Sequence, residues 1–220
     1  MARLRKAPRS WWRDPDAQNA AARLTVAADT SYFTIEPRLV FGREAPLEIE
    51  IGAGRGDFII ERAAMAPHCN FLAIEIAGAV AQLLALRAGR RELSNLRVAC
   101  MDARTLVNLM LPERSVSAYH IYFPDPWPKA RHAKHRLFTP YFVRNLHRTL
   151  TAGAPLYVAS DVYPYAEVIF TTIEANDFRR AELDVPGASN TGFARKFIAD
   201  GRQIYAGTFI KERAKHAEAT

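Results

Sequence analysis

Short apolar runs recur along the chain, separated by stretches whose apolar residues fall at helical spacing. "LEIEI" (47–51), "FLAIEI" (71–76), "LRVAC" (96–100), "VSAYHIYF" (116–123) and "PLYVAS" (155–160) read as strands, each near-continuously apolar over a strand's length. "FIIERAAMA" follows the first with a helical pattern, and "AVAQLLALRAGRRE" after the second predicts a long amphipathic helix. Strands of this kind alternating with helices predict an α/β fold: a doubly wound, Rossmann-like sheet, parallel and covered on both faces. Toward the end, "DFRRAELDV" and "RQIYAGTFI" lack a strong helix between them and read as an antiparallel strand pair at the sheet edge. Residues 1–30 show no apolar period and are rich in Arg, Pro, Asp and Ala. The expectation is a loosely ordered basic arm over 1–30, one domain over 31–213 and a tail over 214–220. Trp11 and Trp12 in that arm suit either stacking on bases or docking onto the domain.

Composition narrows the class. With 220 residues, 49% hydrophobic and 24% charged, the chain can bury a sizeable single core. Cys69 and Cys100 sit in or beside apolar runs and read as small buried thiols, which favours a reducing cytoplasm; no His/Cys grouping has metal-ligand spacing. No apolar run approaches the roughly 20 residues of a membrane helix, and the basic start lacks the hydrophobic region of a secretion signal. The net charge of +7 is concentrated: Met1 to Arg13 holds five basic residues and no acid, and Lys129 to Arg136 holds four more with His132 and His135 between them. One such run reads as a solvated face or tail, but two together point to nucleic acid as the partner.

Doubly wound sheets bind ligands beyond the carboxyl ends of their strands, so those positions carry the candidate chemistry. After the first strand, "EIGAGRGD" places Glu50 before Gly52, Gly54 and Gly56. Such a turn serves either close approach to a ligand or close strand–helix packing. The G-x-G-x-G spacing and the acid at Glu50 disfavour a pyrophosphate. Glu75 after the second strand suits the two hydroxyls of an adenosine ribose. Asp102 after the third suits either an adenine edge or a helix N-cap. Together the three acids outline a pocket for a cationic nucleoside, S-adenosylmethionine. After the fourth strand, "FPDPWPKARHAKHR" fixes Asp125 between two prolines and continues into Lys129, Arg131, Lys134 and Arg136, a rigid acid beside a phosphate-binding run. Trp127 walls the pocket, stacks on a base or fills core. Asp161 ends the fifth strand, "TGFARKF" from Thr191 is placed to fold over the rim, and His120 reads as a satisfied core residue.

"EIGAGRG", "AIEI", "MDA", "YFPDPWPKARHAKHRLF", "ASD" and "TGFARKFIADGR" together resemble the bacterial tRNA (guanine-N7-)-methyltransferases over about residues 40–211. The resemblance implies a class I methyltransferase fold, S-adenosylmethionine as methyl donor and a variable-loop guanine of tRNA as acceptor. By position, Glu50, Glu75, Asp102 and Asp125 match that family's cofactor-binding acids, the cofactor turn includes Gly52 and Gly54, and Asp125 matches a catalytic position. Lys129 and Asp161 match substrate-binding positions, and Arg131, His132, Lys134, His135 and Arg136 lie in the RNA-contacting segment. The family's T-x-x-E motif falls on Thr191, Gly192, Phe193 and Ala194, where Ala194 replaces the glutamate. Two rival readings are a nicotinamide-dependent oxidoreductase, which leaves the basic run unexplained, and a non-catalytic RNA-binding subunit on the same fold. Monomer and homodimer both remain open.

Overall fold

A computed structural model describes Ser10, residues 13–26 and residues 34–212. Trp11, Trp12 and the basic residues through Arg9 lie outside this range, as does the tail. The strands are β1 (Thr25–Val26), β2 (Leu47–Ile51), β3 (Asn70–Ile74), β4 (Leu96–Ala99), β5 (Ala118–Tyr122), β6 (Pro155–Ser160), β7 (Phe178–Ala181) and β8 (Tyr205–Lys211). The helices are α1 (Pro15–Leu24), α2 (Pro37–Phe41), α3 (Ile59–Met65), α4 (Gly78–Gly89), α5 (Ala103–Thr105), α6 (Pro140–Thr149), α7 (Tyr163–Glu174) and α8 (Gly192–Ala199). One eight-stranded sheet has the order β1-β4-β3-β2-β5-β6-β8-β7. Among the described residues, β8 is antiparallel to both of its neighbours, β6 and β7, and every other strand pairing is parallel. From β2 the chain winds outward through β3 and β4, then returns to the other side of β2 with β5 and β6. That reversal puts the topological switch point at the carboxyl ends of β2 and β5, where open α/β sheets bind ligands.

Successive residues of a strand face opposite sides, and the sequence uses both. Ile49, Leu72, Tyr119, Ile121 and Val158 pack under α6 and α7 against Phe142, Leu146 and Ile169. Phe71, Ala73 and Val98 pack under α3 and α4 against Ile59 and Leu84. Each fully buried Leu, Ile or Phe contributes about 1.5–3 kcal/mol, which fixes the register of the central strands. The exception is β2, whose second face carries two buried carboxyl groups, Glu48 and Glu50.

Two expectations are corrected. Part of the loosely ordered arm, residues 15–26, forms α1 and the edge strand β1, which pairs in parallel with β4. Asp14 caps the helix by accepting from the amides of Asp16 and Ala17, Pro15 starts it, and Ala17, Ala21 and Leu24 are its buried residues. Such small alanines gave little apolar signal in the sequence. α1 lies across α4: a Cβ on Gly89 would come within 2.9 Å of the Ala20 Cβ. For that reason α4 is buried around much of its circumference rather than amphipathic. The second correction concerns the closing strand pair. β7 and β8 do pair, but helix α8 intervenes and β8 slots between β6 and β7. Thr191 caps α8 by accepting from the amide of Ala194.

Candidate functional site

The turn after β2 answers which purpose its glycines serve. Gly56 serves packing, since a Cβ there would lie 2.7 Å from the Leu84 Cγ. Gly52 and Gly54 have φ of 75° and 55°, and added Cβ atoms would meet open space with nothing closer than 4.0 Å. Those two hold a left-handed backbone beside empty volume, a shape suited to a ligand. The turn is tied to the next strand: the amides of Gly52 and Ala53 donate to the Ile74 carbonyl. Glu75 lies at the end of that strand, and its two carboxylate oxygens accept from the amides of Gly54 (3.0 Å) and Ala77 (2.8 Å). A carboxylate has about four acceptor positions, so Glu75 keeps capacity for two hydroxyls.

Glu50 is 3% exposed, and its Oε2 has no hydrogen-bond partner among the described residues. Burial raises its pKa well above the usual carboxylate value; the Ile59 amide opposes this, and the charges of Asp57 and Glu75 add to it. A buried carboxyl with one unpaired oxygen at this strand end fits a ligand carrying a cationic N–H group. The acid next along the turn, Asp57, was not singled out from the sequence. It gathers Arg87 (2.7 Å), Arg195 of α8 (3.7 Å) and Arg55 (3.9 Å), and its Oδ2 would lie 2.3 Å from a Cβ added to Gly192. Asp57 therefore holds α8 against the glycine turn. Its signal in the sequence was an acid directly after three glycines.

Asp102 caps α5, accepting from the Arg104 amide at 2.7 Å, so the capping alternative is realised. Arg104 also reaches across the rim, donating to the carbonyls of His135 (2.9 Å) and Arg136 (3.2 Å). This joins the loop after β4 to the basic segment after β5. In that second loop Asp125 is exposed, and its prolines keep residues 124–128 out of regular structure. Phe123 and Trp127 hold φ of 54° and 43° on either side. Left-handed backbone at two bulky residues costs on the order of 1–3 kcal/mol each, and it persists because surrounding contacts determine it. Arg136 supplies several of these: Nε donates to the Pro126 carbonyl at 3.0 Å, Nη2 to that of Trp127 at 3.4 Å, and the guanidinium lies over the Tyr165 ring at 5.3 Å. Arg136, expected in the RNA-contacting segment, spends two of its five donors on the proline loop. Lys129, Arg131, Lys134 and His135 are exposed on and beside a 3-10 turn over Ala130–His135, and Trp127 packs half-buried against His132 and His135.

Asp161 follows β6 and pairs with Arg202 at 2.6 Å. Phe193 is 49% exposed and packs on Phe197, which meets Phe123 edge-on at 5.3 Å. Ala194 is fully buried. Glu50, Glu75, Asp102, Asp125, Asp161 and Thr191 thus all fall at one edge of the sheet. A separate cavity of about 800 Å³ is lined by Asp14, Leu24, Phe41 and Arg97, and no predicted site residue borders it.

Beneath the rim runs a chain of buried hydrogen bonds. Glu48 accepts from Arg62 Nε (3.0 Å) and Nη2 (2.9 Å) and contacts His120 Nε2 at 3.0 Å. Because the carboxylate only accepts, Nε2 carries the His120 proton and Nδ1 accepts from the Tyr122 hydroxyl at 2.7 Å. That hydroxyl in turn accepts from the Gly187 amide at 3.2 Å, in the loop leading to α8. Burial alone would raise the Glu48 pKa, but the bonds from His120 and Arg62 bring it down to about 2. Burial lowers that of His120, so the ring is neutral, the satisfied core residue its strand position implied.

The "Putative methyltransferase" family model matches residues 44–206. A tRNA (guanine-N(7)-)-methyltransferase of Syntrophotalea carbinolica is 37% identical over 182 residues, covering 79% of this chain and 76% of its own. One of Psychromonas ingrahamii is 38% identical over 156 residues, covering 70% of this chain and 64% of its own, a little under two thirds. In fold, the chain is similar to the crystal structure of the 16S rRNA methyltransferase KamB, with a TM-score of 0.62, 15% identity and coverage of 83% and 96%.

Proposed function

The chain belongs to the tRNA (guanine-N7-)-methyltransferase family, and from that premise we propose that it transfers the methyl group of S-adenosylmethionine to N7 of a variable-loop guanine in tRNA. The observation that carries the reading is the unpaired, buried Oε2 of Glu50 beside the open face of Gly52 and Gly54, on the edge where the Asp125 loop runs into exposed cations. Glu50 receives the donor's ammonium, Glu75 its ribose hydroxyls and the Asp102 loop its adenine. Bound there, S-adenosylmethionine supplies an electrophilic methyl carbon on a sulfonium.

Guanine N7 has an available lone pair, so no base removes a proton from the nucleophile. The N7–carbon bond forms as the carbon–sulfur bond breaks, and the positive charge passes from sulfur to the purine. In-line positioning of the reactants is worth up to about 7–11 kcal/mol. Asp125 and Asp161 orient the base through its N–H groups and offset the charge developing on it. Lys129, Arg131 and Lys134 hold phosphates, giving affinity and register rather than base choice. The cytoplasm is the compartment this substrate implies, and no helix among the described residues is long and apolar enough to cross a membrane. Incubating tRNA with a labelled methyl donor and analysing its nucleosides tests the reading. 7-Methylguanosine at the variable loop is expected, and label absent from guanine overturns it.

A further inference from the structure

Because β8 runs antiparallel to β6, with Tyr205 opposite Ser160, the chain enters β8 at the edge where β6 leaves the sheet. Three residues before Tyr205, Arg202 Nη1 lies 2.6 Å from Asp161 Oδ2, and the guanidinium sits 4.9 Å above the Phe197 ring. The pair is unequal: the Asp161 side chain is 12% exposed and that of Arg202 is 52% exposed. The cation covers the acid while turning much of its own surface to solvent. Arginine has five donors in a planar fork, a shape that pairs bidentately with phosphate. Arg195 and Lys196, both exposed on α8 just before it, add to the positive field at this point.

We propose that Arg202 is a specificity-determining residue that reserves Asp161 for a guanine carried in RNA. In the free protein its guanidinium occupies the carboxylate. When RNA arrives, a backbone phosphate takes the guanidinium over, and Asp161 is uncovered for the N–H groups of the base. An isolated nucleoside brings no phosphate and leaves the acid covered. This rests on the reading above that Asp161 binds the base. The half-exposed guanidinium can be met by a phosphate from the solvent side, and its stacking on Phe197 keeps it close during the exchange.

The test compares tRNA and guanosine as methyl acceptors for the wild type, Arg202→Ala and Arg202→Lys, with tRNA affinity followed over a salt series. For Arg202→Ala the expected results are a rise in KM for tRNA of about tenfold, a fall of about one in the slope of log affinity against log salt, and a several-fold gain in guanosine methylation. Arg202→Lys keeps the salt slope and shows an intermediate gain with guanosine. If the wild type methylates tRNA but Arg202→Ala leaves slope and guanosine rate unchanged, or lowers both acceptors in parallel, Arg202 is a structural bridge and the inference fails alone. A wild type inactive on tRNA overturns the underlying function instead.

Discussion

Replacing Glu50 by Gln keeps the side chain's shape and removes its charge. In the free protein, burial and the neighbouring charges of Asp57 and Glu75 hold this carboxyl protonated well above the ordinary glutamate range. Pairing with a ligand ammonium favours the ionised form, so binding expels a proton. Affinity for S-adenosylhomocysteine then rises with pH, by up to about tenfold per unit, until the raised pKa is passed. A hydrogen bond to a charged group contributes about 1.5–3 kcal/mol, so Glu50→Gln should bind roughly 10- to 150-fold more weakly and lose the pH dependence. Stability moves the other way. A carboxyl whose folded pKa lies above its unfolded value of 4.5 destabilises the fold as pH climbs from 4.5 through the raised value. Glu50→Gln without ligand should therefore melt higher than the wild type at pH 8, and by less at pH 5. Titration calorimetry in two buffers of different ionisation enthalpy measures the expelled proton, and thermal melts follow stability. Equal affinity for both proteins with no proton released would sink the argument.

Tyr122→Phe leaves His120 Nδ1 and the Gly187 amide unpaired in a buried setting, at a cost of about 1–3 kcal/mol each. Denaturant unfolding should show a loss of 2 kcal/mol or more (about), with KM for tRNA rising more than that for the cofactor because the loop to α8 is loosened; a loss below about 0.5 kcal/mol contradicts the network. Asp125→Asn should lower the single-turnover methylation rate on the order of 10²–10³-fold with tRNA affinity nearly kept, and an unaltered rate removes Asp125 from the chemistry. Replacing Arg131 and Lys134 together with alanine should reduce the salt slope of tRNA binding by about two; unchanged affinity and slope would make that run a solvated face.

The five parallel strands β2 to β6 were legible because burial on both faces demands continuous apolar residues, and "PLYVAS" marks its strand end to end. The acids at the strand ends were legible as candidates for a related reason: doubly wound sheets bind ligands at those positions. Helix α1 was hidden because alanines fill its contact with α4. The roles of Arg136, Arg104 and Asp57 were hidden because they depend on which guanidinium meets which carbonyl or carboxylate across the rim. Composition shows a cation and cannot show where it points. Arg136 and Arg131 look alike in "KARHAKHR", yet one latches the proline loop and the other faces solvent. The pairing of Tyr122 with Gly187 spans 65 positions and follows only from the fold.

The insertion of β8 between β6 and β7 also orders the protein's own synthesis. A nascent chain that has emerged only through residue 200 holds β7 with no neighbour to pair with and leaves the outer edge of β6 open. Such unpaired edges invite association with other chains. A chain at that stage carries two open strand edges at once, and the rim that carries Asp161 is completed only when β8 threads into its slot.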